Sequence, residues 1–441
     1  MLVTIVIDST FVKFFGIDES RLPSIFTVIF FICMVVVLFV TSMILLRFSS
    51  TDNSELSRNS ASIKSLHRGI KMNQYVIFGV IAYIALSMLI LFHYSIFSIW
   101  IILLITHGEA LILLGLSVYR FILWLRVKRN YPIFIYSVAF SCLVITILSS
   151  IMIASEILPH NRVLVTPVSS QMLLMSYYSN SETIMLKNIY QTFFVTAFIL
   201  SWLATIFLLR HYSRKFGKIK FLVLILIPLL YFLSQFEIQF IDIFQEIRLD
   251  YPVAFSIVYF IFFSATKQVG GLLFGLALWT AAKKFKHRNV RNSLILSAIG
   301  VTFIFAADQI DSLLLVPYPP FGIVSISVLG LAAYFLFRGF LNTALFISRD
   351  LSLRKELYKE IENNISILRT MGLSEMERSL TNKCKPLLKK AIATENNYKE
   401  IDIDVEDAKI LVQEVVQEVY SDYKHRENGN KNDTEGSKNS K

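Results

Sequence analysis

Residues 23–46 read PSIFTVIFFICMVVVLFVTSMILL, and no charged side chain interrupts them. About 20 apolar residues in a helix cross the ~30 Å hydrocarbon core of a bilayer. A segment in lipid must satisfy its backbone N–H and C=O groups internally, and this run is about twice the length of a barrel strand. The stretch therefore predicts a transmembrane helix. Runs of the same kind recur at 74–93, 98–123, 132–154, 188–209, 220–240, 252–282, 292–315 and 320–341. The expected fold class is all-α, a polytopic transmembrane helix bundle of about nine spans occupying residues 23–347, followed by a small cytoplasmic helical C-terminal region.

Composition agrees. Of 441 residues, 55% are hydrophobic and only 17% charged, and the mean hydropathy is +0.59. A soluble chain of this size needs far more charge to cover its surface. Soluble enzymes, nucleic-acid binders, disordered chains and fibrous repeats are excluded, and the first partner implied is the lipid bilayer. The net charge of +11 sits in the apolar part: residues from Ser348 onward carry 17 basic and 18 acidic side chains, leaving 26 basic against 14 acidic before them. Cys33, Cys142 and Cys384 form no disulfide framework or CxxC site.

The connections give the orientation. Segments 47–73, 124–131, 210–219 and 282–291 hold five, three, four and five basic residues, whereas the alternate connections carry at most two. Basic connections stay inside, so an odd number of spans puts the N-terminus outside and the C-terminus in the cytoplasm of a cell-membrane protein. Residues 1–22 lack the basic start and small-residue cleavage site of a signal peptide. With Asp8 interrupting their apolar run, they read as an external interfacial segment. Tyr251-Pro252 and Tyr318-Pro319-Pro320 read as membrane-boundary punctuation, and Pro228 should kink the sixth span.

Past Ser348 the character changes. Leu353, Leu357, Ile361, Ile365 and Leu368 form a one-sided helical stripe. It predicts one long helix leaving the membrane without a break from the ninth span to a stop at Gly372. Ser374-Glu375-Met376-Glu377 reads as a capping box opening a second helix, and a third begins near Asp404. The cytoplasmic tail is thus 348–424, with 425–441 disordered. It has no phosphate loop and no metal cluster, and is expected to bind a cytoplasmic partner or to self-associate through residues 349–424.

Charges at membrane depth carry the site expectations, because each costs at least ~2.5–3.5 kcal/mol at the centre of a span. Glu109 and Lys267 lie at similar depth and are expected to pair. Lys267 shares a small-residue face with Gly271 and Gly275, a spacing that favours close helix contact. Asp308 and Asp311 share a face, and with Glu237 could form an outward acidic vestibule for a cation or an amine. A metal site at His107 and Glu109 is rejected, because residues two apart on a helix face different ways. No cofactor is expected.

The run Tyr318-Pro319-Pro320-Phe321-Gly322, followed by a span bearing Ser and Gly and then Ser348-Arg349-Asp350-Leu351-Ser352-Leu353-Arg354, resembles a group of uncharacterised archaeal multipass membrane proteins. The resemblance covers the last third of the chain, includes no catalytic motif, and implies an archaeal cell membrane without implying an activity. Three functional classes follow from the residues. The leading one is a sensor or receptor-like protein coupling the bundle to its tail. The alternatives are a transporter or channel for a cation or amine, and a membrane-embedded enzyme acting on lipid.

Overall fold

The computed structural model describes residues 1–15, 25–51, 61–127, 130–158, 164–165, 181–209, 217–237, 265–285, 287–307, 318–350 and 368–381. These are almost entirely helical. In chain order they are α1 (Leu2–Phe15), α2 (Ile25–Thr51), α3 (Ala61–Leu91), β1 (Tyr94–Ser95), α4 (Ile96–Val127), α5 (Tyr131–Ile157), β2 (Leu164–Val165), α6 (Ser181–Leu209), α7 (Lys218–Glu237), α8 (Thr266–Lys283), α9 (Arg288–Ala307), α10 (Ile323–Ile326), α11 (Leu329–Arg349) and α12 (368–381). Among the described residues seven stretches are long and apolar enough to cross a membrane: Ile25–Ser49, Lys64–Leu91, Ile96–Val127, Tyr131–Ile157, Thr183–Leu209, Arg288–Ala307 and Ile323–Arg349. The chain has the build of a multipass membrane protein. The helices α7 and α8, read from the sequence as the sixth and seventh spans, are not among the seven.

Several helices outrun the apolar stretches that announced them. The third begins at Ala61, and the sixth at Ser181. A helix is not obliged to stop where hydrocarbon stops, and polar first turns carry it onward. At the seventh expected span the correction runs the other way. Ala265 is a turn, and α8 starts only at Thr266. Lys267 is therefore in the first turn of its helix and not halfway along one.

By compactness the chain divides into two units, residues 1–343 with 360–367, and residues 344–359 with 368–441. In the first, consecutive helices from α2 to α6 pack on one another, α6 and α7 pack on α8, and α8 packs on α9. Phe194 and Phe198 of α6, Phe232 of α7, Phe274 of α8 and Phe305 of α9 share one aromatic cluster, with Phe198 and Phe232 stacked 3.7 Å apart. Gly271 and Gly275 lie against the α9 backbone: a Cβ on either would stand 2.7 Å from Thr302 O or 2.8 Å from Ala298 O. The close contact expected of that glycine pair is thus present. Pro228 lies inside α7 and leaves the carbonyl four residues earlier without its helical donor. One residue beyond that carbonyl, Ile225 O accepts a 2.9 Å hydrogen bond from the Trp202 indole.

The last apolar stretch is the centre of this unit. Its most apolar window is 94% buried, against 33–72% for the other six. It is not one helix from Pro320: the short α10 and a turn at Ser327–Val328 precede α11. Phe340 packs on Phe121 of α4, and Gly300 of α9 faces the backbone of Ala332 and Leu336.

Turns gather at one end. Tyr94 and Ser95 pair antiparallel with Val165 and Leu164, and Tyr94 stacks on Tyr318 at 6.0 Å. The N-terminal helix docks here too. It packs on α2, α9 and α10 and turns Asp8 inward, fully buried. The carboxylate accepts hydrogen bonds from Gly322 N (2.9 Å), Ser325 N (2.9 Å) and Ser325 Oγ (2.6 Å). It thus holds the amides at the start of the last span, where helical N–H groups have no partner of their own. The N-terminal helix is thus fastened to the bundle through Asp8. Burial pushes the Asp8 carboxyl up to about 6, against the pull of its three hydrogen bonds.

In the second unit the expected exit helix is corrected. The helix α11 ends at Arg349, and Asp350 is not helical. A Cβ on Gly372 would stand 2.8 Å from Ile347 Cβ, whereas an unbroken helix would hold those positions about 37 Å apart at 1.5 Å per residue. One unbroken helix from Ile347 to Gly372 is therefore excluded. Gly372 is not a helix stop but an interior residue of α12 where two helices touch. Ser374 does not cap a new helix either, since its hydroxyl donates back to Thr370 O at 2.8 Å. The third tail helix and the end read as disordered lie outside the described residues.

Candidate functional site

Glu109 and Lys267, the expected pair, are held by different partners. Glu109 is in α4, 7% exposed, with Oε2 accepting a 3.2 Å bond from Asn73 Nδ2 of α3. Its other oxygen, Oε1, is buried with no hydrogen-bond partner. Gly330 of α11 backs the carboxyl so closely that a Cβ there would come within 2.8 Å of Glu109 Cδ. The neighbouring Gln74 is 1% exposed, and neither of its amide atoms is hydrogen-bonded. Lys267 sits elsewhere, on α6: its ammonium is 4.4 Å from the Phe194 ring centre and 3.4 Å from Tyr190 Oη. A cation in the first turn of a helix opposes the helix dipole, and the two aromatic rings offset that. The acids of the expected vestibule, Glu237, Asp308 and Asp311, lie outside the described residues or have side chains that do. Among the described residues no group of three metal-ligating side chains gathers.

A second polar group was not anticipated. Arg338 lies within the expected ninth span, three residues before its inner end. It is 4% exposed and no carboxylate among the described residues pairs with it. Its guanidinium donates to the Tyr334 hydroxyl, one turn earlier on α11, and from Nη1 to His67 Nδ1 of α3 at 3.1 Å. Tyr334 Oη is 2.8 Å from the same Nδ1. Arginine only donates, so Nδ1 is the acceptor and the imidazole hydrogen sits on Nε2. Arg338 Nε has no hydrogen-bond partner. The signal that could have found this cluster is the pair Tyr334 and Arg338, four apart on one helix face.

On its other side His67 lines a cavity of about 360 Å³ between α2 and α3. Arg47, His67 and Lys71 make the wall nearest the α2–α3 connection, and Phe39, Val40 and Ile44 line the apolar part. The Lys71 ammonium also lies 5.8 Å from the Tyr75 ring centre. The cavity is thus cationic at one end and apolar along α2, with the buried guanidinium of Arg338 behind the histidine.

Comparison with known protein families, with curated proteins and with solved structures finds no match to the chain.

Proposed function

We propose that this is a sensor or receptor-like protein of the cell membrane, in which α11 carries the state of the bundle interior to the C-terminal helices. The observation behind the reading is Arg338. A buried guanidinium with only neutral partners is held at a cost that depends on what stands beside it. Whatever changes the surroundings of His67 and Tyr334 therefore biases the position of α11. That helix runs unbroken to Arg349, and Ile347 near its end meets Gly372 of α12. The coupling element is thus a helix-to-helix contact, not the long exit helix that the sequence implies. Nine spans with the C-terminus in the cytoplasm remain the topology we favour, on the alternation of basic connections. A cytoplasmic partner or a second copy would then read α12 and the residues after it.

Cross-linking tests this. With Cys33, Cys142 and Cys384 replaced by serine, the pair Ile347→Cys and Gly372→Cys should form a disulfide under mild oxidation. Adding Arg338→Leu should change its rate at least threefold, measured by gel shift in native membranes. An unchanged rate would remove α11 as the coupling element.

The carboxylate oxygen of Glu109 favours a second reading, a transporter or channel for a cation. An acid buried among helices with one oxygen unpartnered is the kind of group that a proton or cation pathway uses. Cation flux in proteoliposomes abolished by Glu109→Gln, together with a cross-link indifferent to Arg338→Leu, would put that reading in place of the first.

A further inference from the structure

The geometry points to the cavity between α2 and α3 as a binding site for the head group of an acidic phospholipid, its phosphate held by Lys71, His67 and Arg47. The inference goes beyond the coupling proposed above. It concerns what the cavity holds, and lipid retention does not depend on the C-terminal helices.

Charge is the first argument. The cavity wall carries three basic side chains and no carboxylate, and among the described residues no carboxylate pairs with Lys71 or His67. Because Nδ1 of His67 is occupied by Arg338 and Tyr334, the remaining nitrogen, Nε2, is a donor. Arg338 behind it adds positive potential without needing to touch the ligand. A wall of basic donors with no carboxylate suits a phosphate oxygen and repels a cation or an amine.

Shape and position choose a lipid over a free anion. The basic wall is only part of the cavity; the rest is apolar side chains of α2. A soluble anion would leave that apolar wall in contact with water, whereas the glycerol and first methylenes of a lipid cover it. About 360 Å³ corresponds to roughly a dozen waters at about 30 Å³ each, room for a head group and the start of its chains but not for a whole lipid. The chains have a place to continue: Val36, Val40 and Ile44 are 54%, 48% and 58% exposed along α2. The site also lies toward the end of the bundle where residues 47–73 hold five basic side chains, Arg47 and Lys71 of the cavity among them. Basic pockets between helices at such a boundary hold lipid head groups.

The test uses the full chain, purified in detergent and stripped of native lipid. It is titrated with dioleoylphosphatidylglycerol or dioleoylphosphatidylcholine and read by native mass spectrometry. The anionic lipid should be retained about tenfold more tightly. Lys71→Gln should reduce that preference about fivefold, the effect of one basic group beside an anionic lipid. Lys64→Gln, exposed on the same helix but outside the cavity, should not. Ile44→Trp, at an exposed position whose enlarged side chain fills the apolar part, should lower retention of phosphatidylglycerol with every charge intact. If Lys71→Gln purifies poorly, the comparison of Ile44→Trp with Lys64→Gln still decides. Equal retention of the two lipids, an equal loss with Lys64→Gln, or no loss with Ile44→Trp overturns the proposal. Glycerol 3-phosphate displacing the lipid at comparable concentration would make the occupant a soluble anion and overturn it as well.

Discussion

Replacing Asp8 by alanine should destabilise the bundle by about 3 kcal/mol or more at pH 7. The carboxylate is fully buried and accepts from Gly322 N, Ser325 N and Ser325 Oγ. Alanine would leave two amides without acceptors and the Ser325 hydroxyl with only the longer 3.5 Å bond to Ile5 O. A buried donor that loses its partner costs about 1–3 kcal/mol, and water entering the vacated space would recover part of the total. These donors stand at the start of the central helix, so the loss falls where the N-terminal helix is fastened to the last span. Reversible unfolding in mixed detergent–SDS micelles would measure it. A loss below about 1 kcal/mol would mean that α1 is not needed to hold the last span.

The same residue should give the stability curve a slope. Burial raises the Asp8 carboxyl from its ordinary 3.8 to about 6 in the fold. Below about pH 4 the group is protonated in folded and unfolded chains alike. Between about 4 and 6 only the folded chain still holds the proton, so stability falls as pH rises through that window and is level above it. Asp8→Asn cannot titrate, and its curve should lack that component. If wild type and Asp8→Asn run parallel from pH 4 to 7, the buried carboxyl does not titrate in this range.

The parts of this protein that were legible in its sequence are those set by local chemistry. Long apolar runs predict spanning helices because no other backbone arrangement survives in lipid, and Gly271 with Gly275 predicts a close contact because four residues is nearly one helical turn. The misread features depend on residues far apart in the chain. Asp8 finds its partners 314 and 317 positions away, so its apolar neighbourhood looked interfacial. Sign and estimated depth match Glu109 with Lys267, but that depth supposes a helix unbroken from residue 252, and α8 starts at Thr266. The stripe from Leu353 to Leu368 satisfies a helical period, but period alone does not make it continuous with the helix that ends at Arg349. Ser374 to Glu377 fits a capping pattern that also occurs inside a helix when the serine bonds back to the previous turn. Arg338 by itself has no distinguishing sequence signal, because arginines near span ends commonly snorkel to the interface, and only the placement of His67 beside it shows that this one stays buried.

Gly300→Ala should cost about 2 kcal/mol, and Gly300→Val more. The new Cβ would stand 2.8 Å from Ala332 O and 2.9 Å from Leu336 Cα, and closer still to Leu336 N. All three are backbone atoms of α11, which no rotamer change can move aside, so α9 and α11 must separate. Overpacking of this kind costs about 1–3 kcal/mol. Gly339 makes the reciprocal contact from α11: a Cβ there would lie 2.6 Å from Ser293 O and from Ser297 N of α9. The two glycines therefore belong to one antiparallel seam, and between membrane helices such seams depend on backbone approach because lipid offers no hydrophobic drive for association. The alanines should consequently be sub-additive: once the first has parted the helices, the second meets less resistance. Gly79→Ala and Gly115→Ala are the controls. A Cβ on either meets nothing within 4 Å, and alanine is the better helix former by about 1 kcal/mol, so both should be neutral or stabilising. Losses at Gly79 or Gly115 matching that at Gly300 would show that the cost comes from helix substitution in general and not from the α9–α11 seam.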